Sequence, residues 1–188
     1  MAKFTLHTPE SAPEAARETL AKVQENYGFL PNLLAGLAEA PTALHSYLAL
    51  SEQFGKTALS APEQQVVLLA TSVINECQFC VAAHSYLARN VAKLDEASIK
   101  ALRDGNALPD ARLNALARFT RAVVSERGWV NGPALDAFLA AGFSKAQVLE
   151  VVLGVTTKTL SNYANHVLET PTNQQFAADA WQPKRKTA

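Results

Sequence analysis

Apolar residues recur at helical spacing along this chain, between clear signals for helix starts and stops. Ser-Ala-Pro-Glu occurs at residues 11–14 and 60–63, and each copy offers a Ser N-cap with Glu at the third helical position. Ser144 and Gln147 make the same arrangement before a long apolar stretch that ends ahead of Pro171. No alternation of apolar and polar residues predicts a strand. The pattern predicts an all-α bundle of about eight or nine helices.

Gly, Pro and Asp residues predict most of the helix boundaries, because Pro and Asp favour helix starts and Gly favours the position just after a helix end. The predicted helices run from 11 to about 26, 31 to 41, 41 to 54, 60 to about 75, 95 to about 103, 109 to just before 128, 133 to 142, and 144 to about 169.

Residues 66–74 are continuously apolar and rich in β-branched side chains, so periodicity does not separate a buried helix from a buried strand. A strand that leads into a CxxC pair is typical of thioredoxin-like proteins. The capping box at residues 60–63 and the absence of other strands favour a helix. We expect this helix to break at Asn75, which forms a further predicted capping box with Gln78.

Composition and charge narrow the classes of protein that this chain fits. Its 188 residues are 48% hydrophobic and suit one domain over 1–188. Seventeen basic and seventeen acidic residues disfavour nucleic acid as a partner, and the basic cluster at 184–186 is expected to lie in a flexible C-terminal tail, about 182–188. The chain shows no apolar span of membrane length and no signal-peptide core. We therefore expect no membrane partner and a cytoplasmic location.

The chain's two cysteines, Cys77 and Cys80, lie three residues apart, and His84 follows four residues later. On a helix the three side chains share an arc of about 60°. In a reducing compartment such a pair is more often redox-active or metal-binding than structural. The pattern favours a dithiol that opens and closes, with a histidine to move protons. An N-cap at Asn75 would place Cys77 in the first helical turn, where the helix dipole makes it the more acidic thiol.

Residues 59–87, LSAPEQQVVLLATSVINECQFCVAAHSYL, resemble the AhpD-like alkylhydroperoxidases, which are grouped with the carboxymuconolactone decarboxylases. The resemblance implies an all-α bundle, assembly into trimers or trimer-based hexamers, and reduction of organic hydroperoxides. It implies that Cys80 is the peroxidatic sulfur, Cys77 the resolving thiol and His84 a proton relay. A thioredoxin-like or lipoyl-bearing protein would reduce the disulfide, and no cofactor or metal is expected.

The chain departs from this family at one position. The family's relay includes a glutamate twelve residues before the first cysteine, and here that residue is Gln65. A neutral amide does not act as a general base. Glu63 is a candidate substitute, although its role as a capping-box carboxylate is the stronger interpretation. If a relay carboxylate is what the chain lacks, Gln65→Glu is expected to speed oxidation.

Other interpretations remain open from the sequence. A lactone decarboxylase of the same family would not need the dithiol, so the cysteines count against it. A redox-sensing or zinc-stabilised assembly protein would use Cys77, Cys80 and His84, with His166 as a distant fourth ligand. Asn162 and His166 share a face of the last long helix, and this patch suits a pocket wall, a subunit interface or, as we prefer, a buried packing set.

Overall fold

The computed structural model describes residues 4–184, and within them the chain is helical, with no strand. The all-α prediction is confirmed. The α-helices are α1 (Glu14–Tyr27), α2 (Asn32–Leu37), α3 (Pro41–Gly55), α4 (Ala61–Ile74), α5 (Gln78–Asn90), α6 (Glu96–Asp104), α7 (Ala111–Ser125), α8 (Pro133–Ala140) and α9 (Lys145–Leu168), followed by a 3₁₀ helix at Gln174–Asp179.

Two of the predicted capping boxes form. The Ser60 hydroxyl accepts a hydrogen bond from the Glu63 amide, and the Glu63 carboxylate accepts one from the Ser60 amide at 2.8 Å. Ser144 and Gln147 make the same reciprocal pair at the start of α9. Each box satisfies two backbone donors that would otherwise lack partners. The segment over residues 66–74 is therefore a helix, as predicted.

Two predicted helix starts are wrong in detail. α1 begins at Glu14 after Pro13, and no side chain caps it. The Ser11 hydroxyl accepts instead from the Thr8 amide at 2.9 Å, in the turn before the helix, so it is not available to α1. α7 begins after Asp110, whose carboxylate accepts from the third amide of the helix, and not at the preceding proline.

The junction between α4 and α5 also differs from the prediction. Asn75 ends α4 and is not the N-cap of α5, because its side-chain amide donates to Asn162 on α9 at 3.0 Å. Glu76 then takes a left-handed conformation, with φ of 55°. Cys77 becomes the N-cap of α5, which starts at Gln78. Both cysteines consequently lie at the start of α5, with Cys80 at the third helical position.

Helix α4 lies at the centre of the bundle and packs against α5, α7 and α9. Eight of its residues are buried. Gly154 allows α9 to approach closely, because a Cβ atom there would lie 2.5 Å from the Phe54 ring and 2.8 Å from Val67. This contact brings α9 near enough to α4 and α5 for its inner face to reach the cysteines.

The segment after α9 returns across α5. Phe176 packs edge-on against Phe79, with ring centroids 6.2 Å apart. Arg89 on α5 forms an ion pair with Asp179, in which its Nη1 donates to both carboxylate oxygens at 2.8 and 3.0 Å. Arg103 on α6 donates to the Asp179 carbonyl oxygen at 2.9 Å. Two cationic side chains thus hold this segment against the bundle.

The predicted C-terminal tail is described only as far as Lys184, and residues 185–188 lie outside the described residues. Within the described part, the Lys184 ammonium donates to the Asp104 carbonyl oxygen at 3.0 Å. No single helix within residues 4–184 has the length and apolar character needed to cross a membrane, although α8 and α9, bent by 115° at their junction, pass that test as a pair.

Candidate active site

The two thiols lie together beneath helix α9. Cys77 and Cys80 are free cysteines, each 1% exposed. The Asn165 side-chain amide donates to the Cys80 sulfur at 3.2 Å and lies 3.8 Å from the Cys77 sulfur. The Ser161 hydroxyl lies 3.9 Å from the Cys80 sulfur. Polar groups of α9 therefore surround the sulfur at the third position of α5.

His84 lies one turn after Cys80 and forms hydrogen bonds at both ring nitrogens. Its Nδ1 is 2.9 Å from Gln65 Oε1, and its Nε2 is 2.6 Å from Lys158 Nζ. The amide oxygen only accepts and the ammonium only donates. Nδ1 therefore carries the proton and Nε2 accepts from Lys158. This is the neutral form of the imidazole.

The electrostatics of the site agree with that assignment. Burial lowers the pKa of His84 well below its usual value, and the nearby charge of Lys158 lowers it further. A positive charge on the imidazole would be desolvated and would face a second cation. His84 is therefore neutral at physiological pH, whereas the ammonium of Lys158 carries the charge.

The two cysteines differ in acidity, in the order opposite to the one expected from the helix dipole. Hydrogen bonding to Cys80 and burial raise the pKa of the Cys77 thiol. Burial also opposes ionisation of Cys80, but the hydrogen bond from Cys77 and the charge of Lys158 outweigh it and lower the pKa of that thiol. The dipole acts on both cysteines, since both lie at the start of α5, so neighbouring groups decide the difference.

An apolar cavity of about 500 Å³ opens onto this site. Cys80, His84, Lys158 and Tyr47 provide polar groups in its lining, and Lys158 is the only Lys, Arg, Asp or Glu among the lining residues. The rest of the wall is largely aliphatic and aromatic and includes Phe29, Leu34, Leu48, Phe54, Phe79, Tyr86, Leu87 and Phe176. A molecule bound in this cavity could contact Cys80 while the apolar wall surrounds the rest of the molecule.

Of the two candidate relay residues, only Gln65 reaches the site. Glu63 lies two residues earlier on α4, about 200° around the helix. Its carboxylate accepts from Ser60 and, at 3.0 Å, from Arg112. These contacts tie the start of α4 to α7, and none of them involves a cysteine or His84. The structure thus supports the capping interpretation of Glu63.

His166 does not lie in the cavity wall, and its side chain is exposed. It lies at the edge of the α9 face that carries Lys158, Ser161 and Asn165, on the solvent side. Asn162, on the buried side, accepts from Asn75 and lies 3.4 Å from Ser72, which fits the packing role that the sequence favoured. Within residues 4–184 no group of three or more His, Cys, Asp or Glu side chains is arranged to hold a metal ion.

Sequence reasoning missed Lys158 as a site residue. It is 2% exposed, and it is the only Lys, Arg, Asp or Glu between Glu150 and the end of α9. The available signal was a single lysine among Val, Leu and Thr residues on a helix rich in core positions, since lysine is seldom fully buried unless it is paired. Asn165 was missed as well, although its amide contacts the thiols and it lies next to His166 in the chain.

Residues 35–123 match the model of the carboxymuconolactone decarboxylase family. This match confirms the family resemblance. The matched segment of this chain includes Cys77, Cys80, His84 and Gln65, and it ends before α9. No curated protein matches the chain significantly.

Solved structures with the same fold include two peroxidase-related proteins. An uncharacterised protein from Ralstonia eutropha JMP134, described as an alkylhydroperoxidase AhpD core, has a TM-score of 0.82 at 22% identity, with 93% of each chain covered. A protein from Silicibacter sp. TM1040 has a TM-score of 0.76 at 20% identity, with 87% of each chain covered. The AhpD-like fold is thereby confirmed.

A third structure with this fold is the debrominase Bmp8, as a cysteine variant in complex with 2,3,4-tribromopyrrole. It has a TM-score of 0.78 at 14% identity and covers 95% of this chain and 96% of its own. The fold thus occurs in a debrominase as well as in peroxidase-related proteins, and the chemistry of this chain must be inferred from its own residues.

Proposed function

We propose that this protein is a thiol-dependent peroxidase that reduces organic hydroperoxides through a Cys80–Cys77 dithiol cycle. The observation that supports it most is that the Cys80 sulfur lines an apolar cavity, where Cys77 and Lys158 lower the pKa of its thiol. The thiolate is the reactive form of cysteine toward peroxides. The family match and the peroxidase-related structural neighbours agree with this class of enzyme.

The reaction follows from the placement of the two sulfurs. The Cys80 thiolate attacks the terminal oxygen of the hydroperoxide, the O–O bond breaks, and the remaining oxygen leaves as an alcohol after it takes a proton. Cys80 is then a sulfenic acid. The Cys77 sulfur attacks it, water leaves and a disulfide forms. The higher pKa of Cys77 suits a thiol that stays protonated until this second step.

The cavity favours hydroperoxides on an alkyl or aryl body over hydrogen peroxide. Phe29, Phe79 and Phe176 contribute to a wall that would bury apolar carbon, which is worth about 25 cal/mol per Å² removed from water. Hydrogen peroxide offers no such surface. Binding energy from the body of an organic substrate would hold its peroxide group against Cys80.

The disulfide must be reduced by an external dithiol, and we propose a thioredoxin-like or lipoyl-bearing protein for this step. We also propose that the protein acts as a homo-oligomer, as the family resemblance implies. Turnover with an external dithiol distinguishes a peroxidase from a redox sensor, which would be oxidised once and accumulate in that state.

The test is a thiol titration after one equivalent of cumene hydroperoxide. We expect both thiols of each chain to disappear and an intramolecular disulfide to form between Cys77 and Cys80. Cys77→Ser should stop at a sulfenic acid that dimedone traps, and Cys80→Ser should not react. If both thiols of the parent protein stay titratable, or if the disulfide forms only between chains, the peroxidase proposal is wrong.

A further inference from the structure

Lys158 is a buried cation without a carboxylate partner in the described part of the chain. Its side chain lies inside the bundle, and no ion pair within residues 4–184 includes it. An uncompensated ammonium is strongly disfavoured in a protein interior. Another group must therefore supply the negative charge.

Of the groups that face Lys158, one can supply this negative charge near neutral pH. His84 on α5 is neutral and accepts a hydrogen bond from Nζ at 2.6 Å. The ring of Tyr47 on α3 has its centroid 5.9 Å from Nζ and offers a cation–π contact. Cys77 remains a thiol because its pKa is raised. The Cys80 thiolate is the remaining anion, and it lines the same cavity as Lys158.

This charge pair exists only while Cys80 is reduced. Burial opposes the ammonium, whereas the neighbouring Tyr47 and the two cysteine sulfurs keep the pKa of Lys158 above its ordinary value. When the Cys80 sulfur is oxidised to a neutral sulfenic acid, its negative charge is lost, whereas the Lys158 ammonium remains buried. The proton on Lys158 is then least stable at the moment when the departing oxygen needs one.

We propose that Lys158 is the general acid that protonates the leaving oxygen of the hydroperoxide. The inference rests on the proposed peroxidase function. The first step converts the Cys80 thiolate, the Lys158 ammonium and the hydroperoxide into a sulfenic acid, a neutral amine and an alcohol. The second step converts the sulfenic acid and the Cys77 thiol into a disulfide and water. Atoms and charge balance without a proton from solvent.

His84 and Gln65 act as positioning residues in this scheme. Gln65 accepts from Nδ1 and so directs the lone pair of Nε2 toward Lys158. A glutamate at position 65 would instead favour a proton on both ring nitrogens, and the ammonium would lose its acceptor. The neutral amide of Gln65 therefore suits a site whose positive charge lies on Lys158 of α9.

Lys158→Arg separates the two roles of the lysine. The guanidinium keeps a positive charge in the cavity that Cys80 also lines but does not release a proton at accessible pH. Alkylation by iodoacetamide needs only the thiolate, because the leaving iodide takes no proton. Reduction of cumene hydroperoxide needs both the thiolate and the acid. Peracetic acid needs only the thiolate, since its leaving acetate is stable without a proton.

For Lys158→Arg we expect an alkylation rate within about threefold of the parent rate and cumene hydroperoxide reduction slower by about 10²- to 10⁴-fold, the usual contribution of positioned proton transfer. The peracetic acid rate should stay within about tenfold of the parent rate. Lys158→Met tests the same point by pH profile: without the lysine, burial should shift alkylation of Cys80 to higher pH, and a higher pH should restore alkylation while hydroperoxide reduction stays slow.

Equal losses in alkylation and in hydroperoxide reduction at all pH values, or full hydroperoxide activity in either variant, would overturn the role of Lys158. A parent protein that reacts with iodoacetamide and with no peroxide would overturn the proposed function before any variant is made. The two failures are therefore distinct.

Discussion

Lys158 Nζ and His84 Nε2 lie 2.6 Å apart and join α9 to α5 inside the bundle. This hydrogen bond makes the imidazole an acceptor and leaves its other nitrogen to donate to Gln65. A relay that ends in a glutamate would require the histidine to take up a proton. In this chain the positive charge is already present on the lysine, so the histidine's task is to hold it in place.

Gln65→Glu is expected to slow the reaction of Cys80, in contrast to the gain in rate expected from the sequence alone. The new carboxylate would favour the doubly protonated imidazole, which offers Lys158 no lone pair, so the ammonium would lose the contact that holds it in the cavity and the pKa of Cys80 should rise. The measurement is the pH profile of iodoacetamide alkylation. Gln65→Met is the matched control, because it removes the acceptor without adding charge. Faster alkylation and oxidation in Gln65→Glu would instead favour the relay carboxylate.

The protein should lose stability as the pH falls below about 6.5, the usual pKa of histidine. The pKa of buried His84 is lowered in the folded state, so the unfolded chain binds a proton that the native chain does not, and the free energy of unfolding decreases with falling pH. The lowered pKa of Cys80 acts in the same direction, and its contribution declines already below about 8.5, the usual pKa of a thiol. Urea midpoints at pH 7.5 and 5.5 measure the effect, and His84→Gln should reduce the difference between them. An unchanged difference would contradict neutral burial of His84.

Glu63→Gln should destabilise the fold and leave the peroxide reaction unchanged. Its carboxylate links Ser60 to Arg112, and loss of a charged hydrogen bond at a buried group is worth about 1–3 kcal/mol. Glu52→Gln is the control, because the ion pair of Glu52 with Lys56 is exposed and should contribute little to stability. Loss of oxidation in Glu63→Gln at unchanged stability would make Glu63 a relay residue after all.

Gly154→Ala should destabilise the protein by about 1–3 kcal/mol, the usual range for an overpacked core. Its Cβ atom would meet the buried ring of Phe54 at 2.5 Å, so α9 would have to move away from α3 and α4. Gly55→Ala is the control, since a Cβ atom there meets nothing within 4 Å. Chemical denaturation measures both, and equal midpoints for the two variants would show that the bundle adjusts freely at Gly154.

The outer face of α9 supports the proposed assembly. Leu149, Val152, Tyr163 and Val167 are exposed there at helical spacing, and they form an apolar stripe. Sedimentation should show an oligomer in multiples of three, and Val152→Glu should weaken it without a change in thiol chemistry. A monomer at micromolar concentration would contradict the assembly proposal.

Most of the fold could be predicted from the sequence because its helices begin and end at residues with strong local preferences. Asp95 caps α6 through the Ser98 amide, and Gly105 ends that helix in the left-handed conformation, as their types predict. The predictions failed where a distant contact outweighed local preference. Asn75 has the side chain of an N-cap, but it binds Asn162 on a helix almost ninety residues later.

The sequence predicted only those site residues that share one helix. The spacing of Cys77, Cys80 and His84 shows that they can meet, because one helical period relates them. It does not show what faces them from α9. The acidity of Cys80 depends on Lys158, which follows it by 78 residues, and no local pattern connects the two. The helix dipole, which is local, therefore gave the wrong order for the two thiols.

The segment by which the family is recognised and the residues that set the chemistry of the site overlap only in part. The match ends at residue 123, whereas Lys158, Asn165 and Phe176, which is part of the cavity wall, lie beyond it. Proteins that share the cysteine motif can therefore divide into electrostatic subtypes that a motif search would merge. The pairing of an amide on α4 with a lysine on α9 gives a two-position signature, and sorting relatives by that signature would separate lysine-dependent dithiols from those that rely on a glutamate.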